Sequence, residues 1–136
     1  MNNKELIEKY PWLQVRNIRT GELLKLEDYN FTWLDDLPEG WRKAFGLQMV
    51  EELDKILRKA NYQNEYRITQ IKEKYGALCW YDNYTPFKLS KEYLRWLFKY
   101  EELSKHTCLI CGELGEIDYT QSWLVPLCEK HRKEEL

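Results

Sequence analysis

Four side chains near the end of the sequence have the types and spacing of a metal site: Cys108-Leu-Ile-Cys111, sixteen residues, then Cys128-Glu-Lys-His131. Two thiolates two residues apart grip one ion from a tight knuckle, and Gly112 relieves the backbone where its amides turn toward the sulfurs. Cys128 and His131 are three apart and share one face of a helix predicted over residues 126–133. Three sulfurs and one imidazole nitrogen close a tetrahedron with no open position, which is the structural kind of zinc site. The expected cofactor is therefore one Zn²⁺, and such an ion contributes on the order of 10 kcal/mol to folding the segment that holds it.

Other chemistries fit the same residues less well. A Cys108–Cys111 disulfide with His131 left at the surface is the redox alternative, but redox Cys-x-x-Cys pairs open a helix in a βαβ context that this sequence lacks. His106, two residues before the knuckle, is an alternative fourth ligand. Cys79 stands alone in the middle of the chain and reads as a core residue. Hydrolytic zinc needs an exchangeable water position, and four ligands leave none. The His-x-Glu partner of a deaminase Pro-Cys-x-x-Cys motif does not occur, nor does a Gly-rich phosphate loop or a Gly-x-Ser-x-Gly elbow. Asp35, Asp36, Asp82 and Asp118 read as caps and solvated groups. The expectation is a protein that is not an enzyme and has no small-molecule substrate, with a metal-dependent nuclease-like enzyme kept as an alternative.

The elements that must carry this end can be read from periodicity. Residues 4–10 predict a short helix stopped by Pro11, and residues 13–18 and 23–26 flank a candidate turn at 19–22. Asp36, with Pro38 and with Glu39 three residues on, resembles a capping box. The helix it announces carries Trp41, Phe45, Met49, Leu53, Ile56, Leu57 and Ala60 on one stripe. Residues 66–72 and 77–82, rich in β-branched and aromatic side chains, predict a β-hairpin turning at residues 73–76, where Gly76 supplies positive φ. A second amphipathic helix, with Ser90 as candidate N-cap, follows through Leu89, Tyr93, Leu94, Leu97, Tyr100 and Leu103. Between the ligand pairs, residues 116–119 and 123–125 predict a short hairpin. The fold class is α+β: helices packed on a short antiparallel hairpin, then the zinc-binding segment. Residues 1–107 form the core and residues 108–136 the zinc segment, packed together as one compact unit.

A chain of 136 residues with 43% hydrophobic content can bury its own core. Aromatic residues reach 15%, more than such a core needs, and the polar tips of Tyr and Trp favour a binding surface. The net charge of −2 gives no global attraction to nucleic acid or anionic membrane, although the thirteen basic side chains of residues 41–107 outnumber nine acidic ones. There is no long apolar run and no signal-peptide pattern, so the expected compartment is the cytoplasm, with no membrane partner.

Knuckle, hairpin and ligand-bearing helix together resemble a treble-clef zinc finger. Some treble-clef proteins are nucleases with a general-base histidine on the hairpin, which this hairpin lacks. The chain also resembles a group of small uncharacterised proteins of bacteriophages and prophages, chiefly of Gram-positive hosts. The matching stretches are Leu37-Pro38-Glu39-Gly40-Trp41, residues 70–81 from Gln70 to Tyr81, and Cys108 to His131 with Trp123. Ala77 and Cys79 depart from the group, which often has Gly and Arg there. The resemblance implies a mobile-element origin and no known activity.

Two binding functions follow as expectations. One is a non-catalytic, zinc-stabilised phage protein that docks on a host protein, as an inhibitor of a host defence system such as an anti-CRISPR-type protein, through Trp80, Tyr81, Tyr84 and Trp96. The other is a nucleic-acid-binding module in which Lys72, Lys74, Lys88, Lys91, Arg95 and Lys99 meet phosphates and nearby aromatics stack on bases, at roughly 1–3 kcal/mol per base.

Overall fold

A computed structural model of the chain describes residues 1–16, 19, 20, 22, 31–83 and 87–135, apart from the side chains of 87–89 and 135. Helix α1 (Asn3–Lys9) is capped by Asn2, whose side chain accepts from the Glu5 N–H at 2.8 Å, and it gives way to a 3-10 turn at Pro11–Leu13. The predicted pairing of residues 13–18 with 23–26 falls largely outside the described residues, and Leu13 itself lies in that turn.

The capping box forms four residues earlier than predicted. Thr32 accepts from Leu34 N–H while Asp35 accepts from Thr32 N–H at 2.8 Å, opening a 3-10 turn over Trp33–Asp36. Asp36 caps nothing, and α2 (Glu39–Trp41) starts behind Pro38 without a side-chain cap. It runs through a π-turn at Arg42–Gly46 into α3 (Leu47–Lys59). Trp41, Phe45, Met49, Leu53 and Leu57 are all buried. A spacing of four drifts about 40° per step around a 3.6-residue helix, and one wide i→i+5 turn absorbs part of that drift.

Strands β1 (Ile68–Lys74) and β2 (Ala77–Asp82) pair antiparallel, with Ile71 opposite Trp80 and Lys74 opposite Ala77. The turn is two residues, not four: Tyr75 and Gly76 both have positive φ (52° and 86°), the requirement of a type I′ hairpin. One face, with Ile71, Leu78 and Trp80, is buried, and α4 (Phe87–Ser104) packs on it through Tyr93, Trp96 and Tyr100. Ser90 lies inside α4 and is not its cap. Leu94 is exposed because it points away from the face that Trp96 occupies, whereas Leu103, about 20° from Trp96 around the helix, is exposed near the end of α4. These elements share a core with Tyr10, Trp12 and Leu13, where Trp12 Nε1 donates to Asp54 at 2.9 Å. No helix among the described residues is long and apolar enough to cross a membrane.

Candidate metal centre

The C-terminal end is built from backbone before it is built from ligands. Thr107 bridges Leu114, Cys108 N–H donates to Glu113 O at 2.7 Å, and Gly112 N–H closes the knuckle onto Cys108 O at 2.9 Å with φ +85°. Strands β3 (Glu116–Ile117) and β4 (Pro126–Leu127) pair Glu116 with Leu127, a shorter hairpin than predicted, and residues 123–125 are not a strand. Helix α5 (Glu129–Glu135) then begins one residue after Cys128 and carries His131. Arg132 ties these parts together, donating to the carbonyls of Glu116 and Leu127.

This frame brings the four predicted ligands together: one donor atom each from Cys108, Cys111, Cys128 and His131 lies within 4.8 Å of all the others. Cys111 Sγ and Cys128 Sγ are 3.8 Å apart, and His131 Nδ1 stands 3.5 Å from Cys108 Sγ and 3.2 Å from Cys128 Sγ. The cluster can hold a metal ion. His131 therefore presents Nδ1 inward, while Nε2 faces the exposed Glu134 carboxylate at 3.9 Å, beyond hydrogen-bond distance. Burial pushes the Cys108 thiol up, but the backbone N–H groups of Cys128, Cys111 and Ile110 outweigh it and bring it down to about 6. The Glu113 N–H pulls the Cys111 thiol down, but burial and the neighbouring Cys108 and Cys128 thiols together leave it raised. One thiolate is thus favoured before metal arrives, and a second is disfavoured until a cation offsets its charge.

His106 is not part of the cluster; its Nδ1 meets both Glu116 oxygens at 3.1 Å. Cys79 sits half-buried on β2 opposite Lys72. The acids are dispersed in role: Asp35 caps, Asp118 accepts from Thr120, Asp82 accepts from Tyr66 and Tyr93, and Asp36 and Asp82 share the wall of an open groove with Lys72 and Tyr81.

The metal-holding end is welded to the core at two points that the sequence alone did not reveal. Gly40 N–H donates to Leu109 O at 2.8 Å, so the knuckle supplies the cap that α2 lacks, and Trp41 Nε1 donates to Thr107 O at 2.8 Å. The backbones touch there: a Cβ on Gly40 would overlap Cys108 O and lie 2.7 Å from Gly112 N. At the β1–β2 turn, Gly76 packs against Ile117, and a Cβ there would lie 3.1 Å from Leu124 O.

The other predicted contacts separate. Trp80 and Trp96 are corrected to core residues, 5% and 4% exposed, stacked edge to face at 5.2 Å, with their indoles donating to Tyr66 Oη and Met49 O. Tyr81 is exposed beneath the Lys72 ammonium, and Tyr84 lies outside the described residues. The cations do not share a face. Lys72 and Lys74 stand on the hairpin side opposite the one α4 covers, Lys91 and Arg95 stand on the outer side of α4, Lys99 pairs with Glu52 at 2.9 Å, and the Lys88 side chain is outside the described set. Large exposed side chains on the metal-holding end are Ile110, Leu114, Tyr119 and Trp123, with Tyr75 at the hairpin turn, while Met1, Leu47, Leu94, Phe98 and Leu103 are exposed elsewhere.

No protein-family model matches the chain, and neither a curated protein nor a solved structure is similar to it.

Proposed function

We propose that this chain is a non-catalytic binding protein whose C-terminal end is a zinc-held, treble-clef-like module acting through protein–protein contact. The observation that carries the reading is the exposure of that end. Leu114 is 80% exposed, Tyr119 73% and Trp123 55%, on a segment whose buried residues among those described are Cys108, Gly115, Val125, Pro126 and Leu127. Clustered large apolar side chains left open mark an interaction surface, and Tyr and Trp are the side chains that anchor interfaces. Tyr75, 74% exposed, precedes the Gly76 that packs against Ile117.

Zinc is the ion the donor set favours. Zn–S bonds of about 2.3 Å and Zn–N bonds of about 2.0–2.1 Å in a tetrahedron give S···S edges near 3.8 Å and S···N edges near 3.6 Å. The Cys111–Cys128 and Cys108–His131 edges of 3.8 and 3.5 Å agree with those values, while the Cys128–His131 edge, at 3.2 Å, is shorter. Three thiolates stay available in a reducing compartment, which makes the cytoplasm the working place. The resemblance to phage proteins directs the surface at a host protein, such as a component of a defence system.

The test is capture from host lysate at gentle salt with the zinc-loaded chain and with a Tyr119→Ala/Trp123→Ala variant of equal metal content. A protein retained by the first and lost with the second is expected. No retained protein, or retention indifferent to the variant, overturns the reading.

A further inference from the structure

Helix α4 turns Tyr93, Trp96 and Tyr100 into the core, all at most 5% exposed. At about 100° per residue, Lys91, Leu94, Arg95, Phe98, Glu101 and Glu102 fall on the opposite side, in one stripe within about 60° of its centre line. The middle of that stripe is apolar and open: Leu94 is 59% exposed and Phe98 65%. Its N-terminal half is basic and its C-terminal half acidic. Lys91 and Arg95 have no salt-bridge partner among the described residues, while the neighbouring cations Lys59 and Lys99 are paired with Glu92 and Glu52.

An apolar centre flanked by opposite charges at its two ends is complementary to itself when reversed. We infer that α4 is the contact between two copies of this chain, packed antiparallel about a two-fold axis at the level of Trp96. That axis sets Leu94 against Phe98 of the second copy and Lys91 beside Glu101 of the second copy, with Arg95 near the same acidic end. An isologous pairing of this kind uses one patch twice and closes on itself. A parallel arrangement would oppose Lys91 to Lys91 and Glu101 to Glu101. Glu102 already holds Lys105 at 2.8 Å, so Glu101 is the acid with the freer charge. One face of a helix over residues 91–102 is about 18 Å long and about 10 Å wide, so the two copies together bury on the order of a few hundred Å², short of the roughly 1,200–2,000 Å² of a standard interface. The dimer is accordingly weak, reversible and salt-sensitive. This surface lies on α4, apart from the metal-holding end.

Sedimentation equilibrium of the full, metal-loaded chain over a range of concentration and salt reads the association. A monomer–dimer equilibrium that weakens as salt rises is expected. Phe98→Asp raises the dimer dissociation constant by tenfold or more, a loss of about 1.4 kcal/mol or more. Lys91→Glu weakens the dimer, and Lys91→Glu/Glu101→Lys restores it because each reversed charge again meets its opposite. The positions are on the surface, so metal content and circular dichroism stay unchanged and report that the variants fold. A monomer at every concentration, mass gained only on adding an oligonucleotide, a dimer indifferent to Phe98→Asp, or no recovery in the double reversal each overturns the inference.

Discussion

Between Trp33 and Ser104 the backbone is held by fully buried side chains such as Trp41, Met49, Leu53 and Tyr100, whereas beyond His106 the buried apolar side chains among the described residues are Cys108, Val125, Pro126 and Leu127. The first region is specified by area removed from water, at about 25 cal/mol per Å². The second has little such area, and its four converging donors can do the equivalent work with a metal ion between them. The two are not independent. Leu109 packs on both clusters, and Gly40 and Trp41 bond directly to the knuckle. An end whose four donors can hold a metal ion is therefore clamped onto an apolar body, and the difference can be probed by perturbing one region at a time.

The largest effect is expected from the ligands. Cys128→Ser or chelation removes a contribution on the order of 10 kcal/mol from the end. Hydrogen exchange should then show lost protection at the Cys108, Gly112 and Gly115 amides, with the Lys72 and Cys79 amides of the β1–β2 ladder still protected. Uniform loss in both regions would break the comparison.

Next comes the weld. Gly40→Ala forces a methyl into the Cys108 carbonyl and should cost about 3 kcal/mol in urea denaturation, the upper range for overpacking. Gly46→Ala serves as its control. A methyl there meets Arg42, Leu37 and Leu34 side-chain atoms at 3.4–3.6 Å, so the change is neutral or stabilising by up to about 1 kcal/mol. Trp41→Phe leaves Thr107 O without its buried donor and should cost about 2 kcal/mol, read in the same experiment.

The smallest effect is a pH dependence confined to the body. Burial would raise the Asp35 carboxyl, but the Thr32 N–H and the Arg42 guanidinium outweigh it and hold it below its ordinary value. Its contribution is complete above the unfolded value of about 3.9 and fades as pH falls through the lower folded value. Solvent screens this pair, so the amount is about 1 kcal/mol or less. Asp35→Asn should flatten the stability curve below about pH 4, whereas an unchanged slope would assign the acid sensitivity elsewhere.

What the sequence conveyed about the two regions differed in kind. Ligand spacing is local, so Cys108, Cys111, Cys128 and His131 were legible as a set, and period 3.6 located the stripe from Trp41 to Leu57. Contacts set by tertiary approach were not legible. Nothing local says that Gly40 meets Gly112, or that Trp80 and Trp96 pack into each other and leave Tyr119 and Trp123 outside. Thr32 displaced Asp36 as the cap because Asp35 could reciprocate its bond, and the knuckle then supplied the acceptor for Gly40 N–H. The predicted basic surface failed for a related reason, since sequence neighbours on β1 and α4 end up on opposite sides of one layer.

The most direct test of the metal-held end is native mass spectrometry of the chain purified under reducing conditions, before and after chelator. The account predicts one zinc per chain, lost on chelation together with the protection of residues 108–131. A metal-free chain two hydrogens lighter, with Cys108 and Cys111 joined as a disulfide, would contradict it.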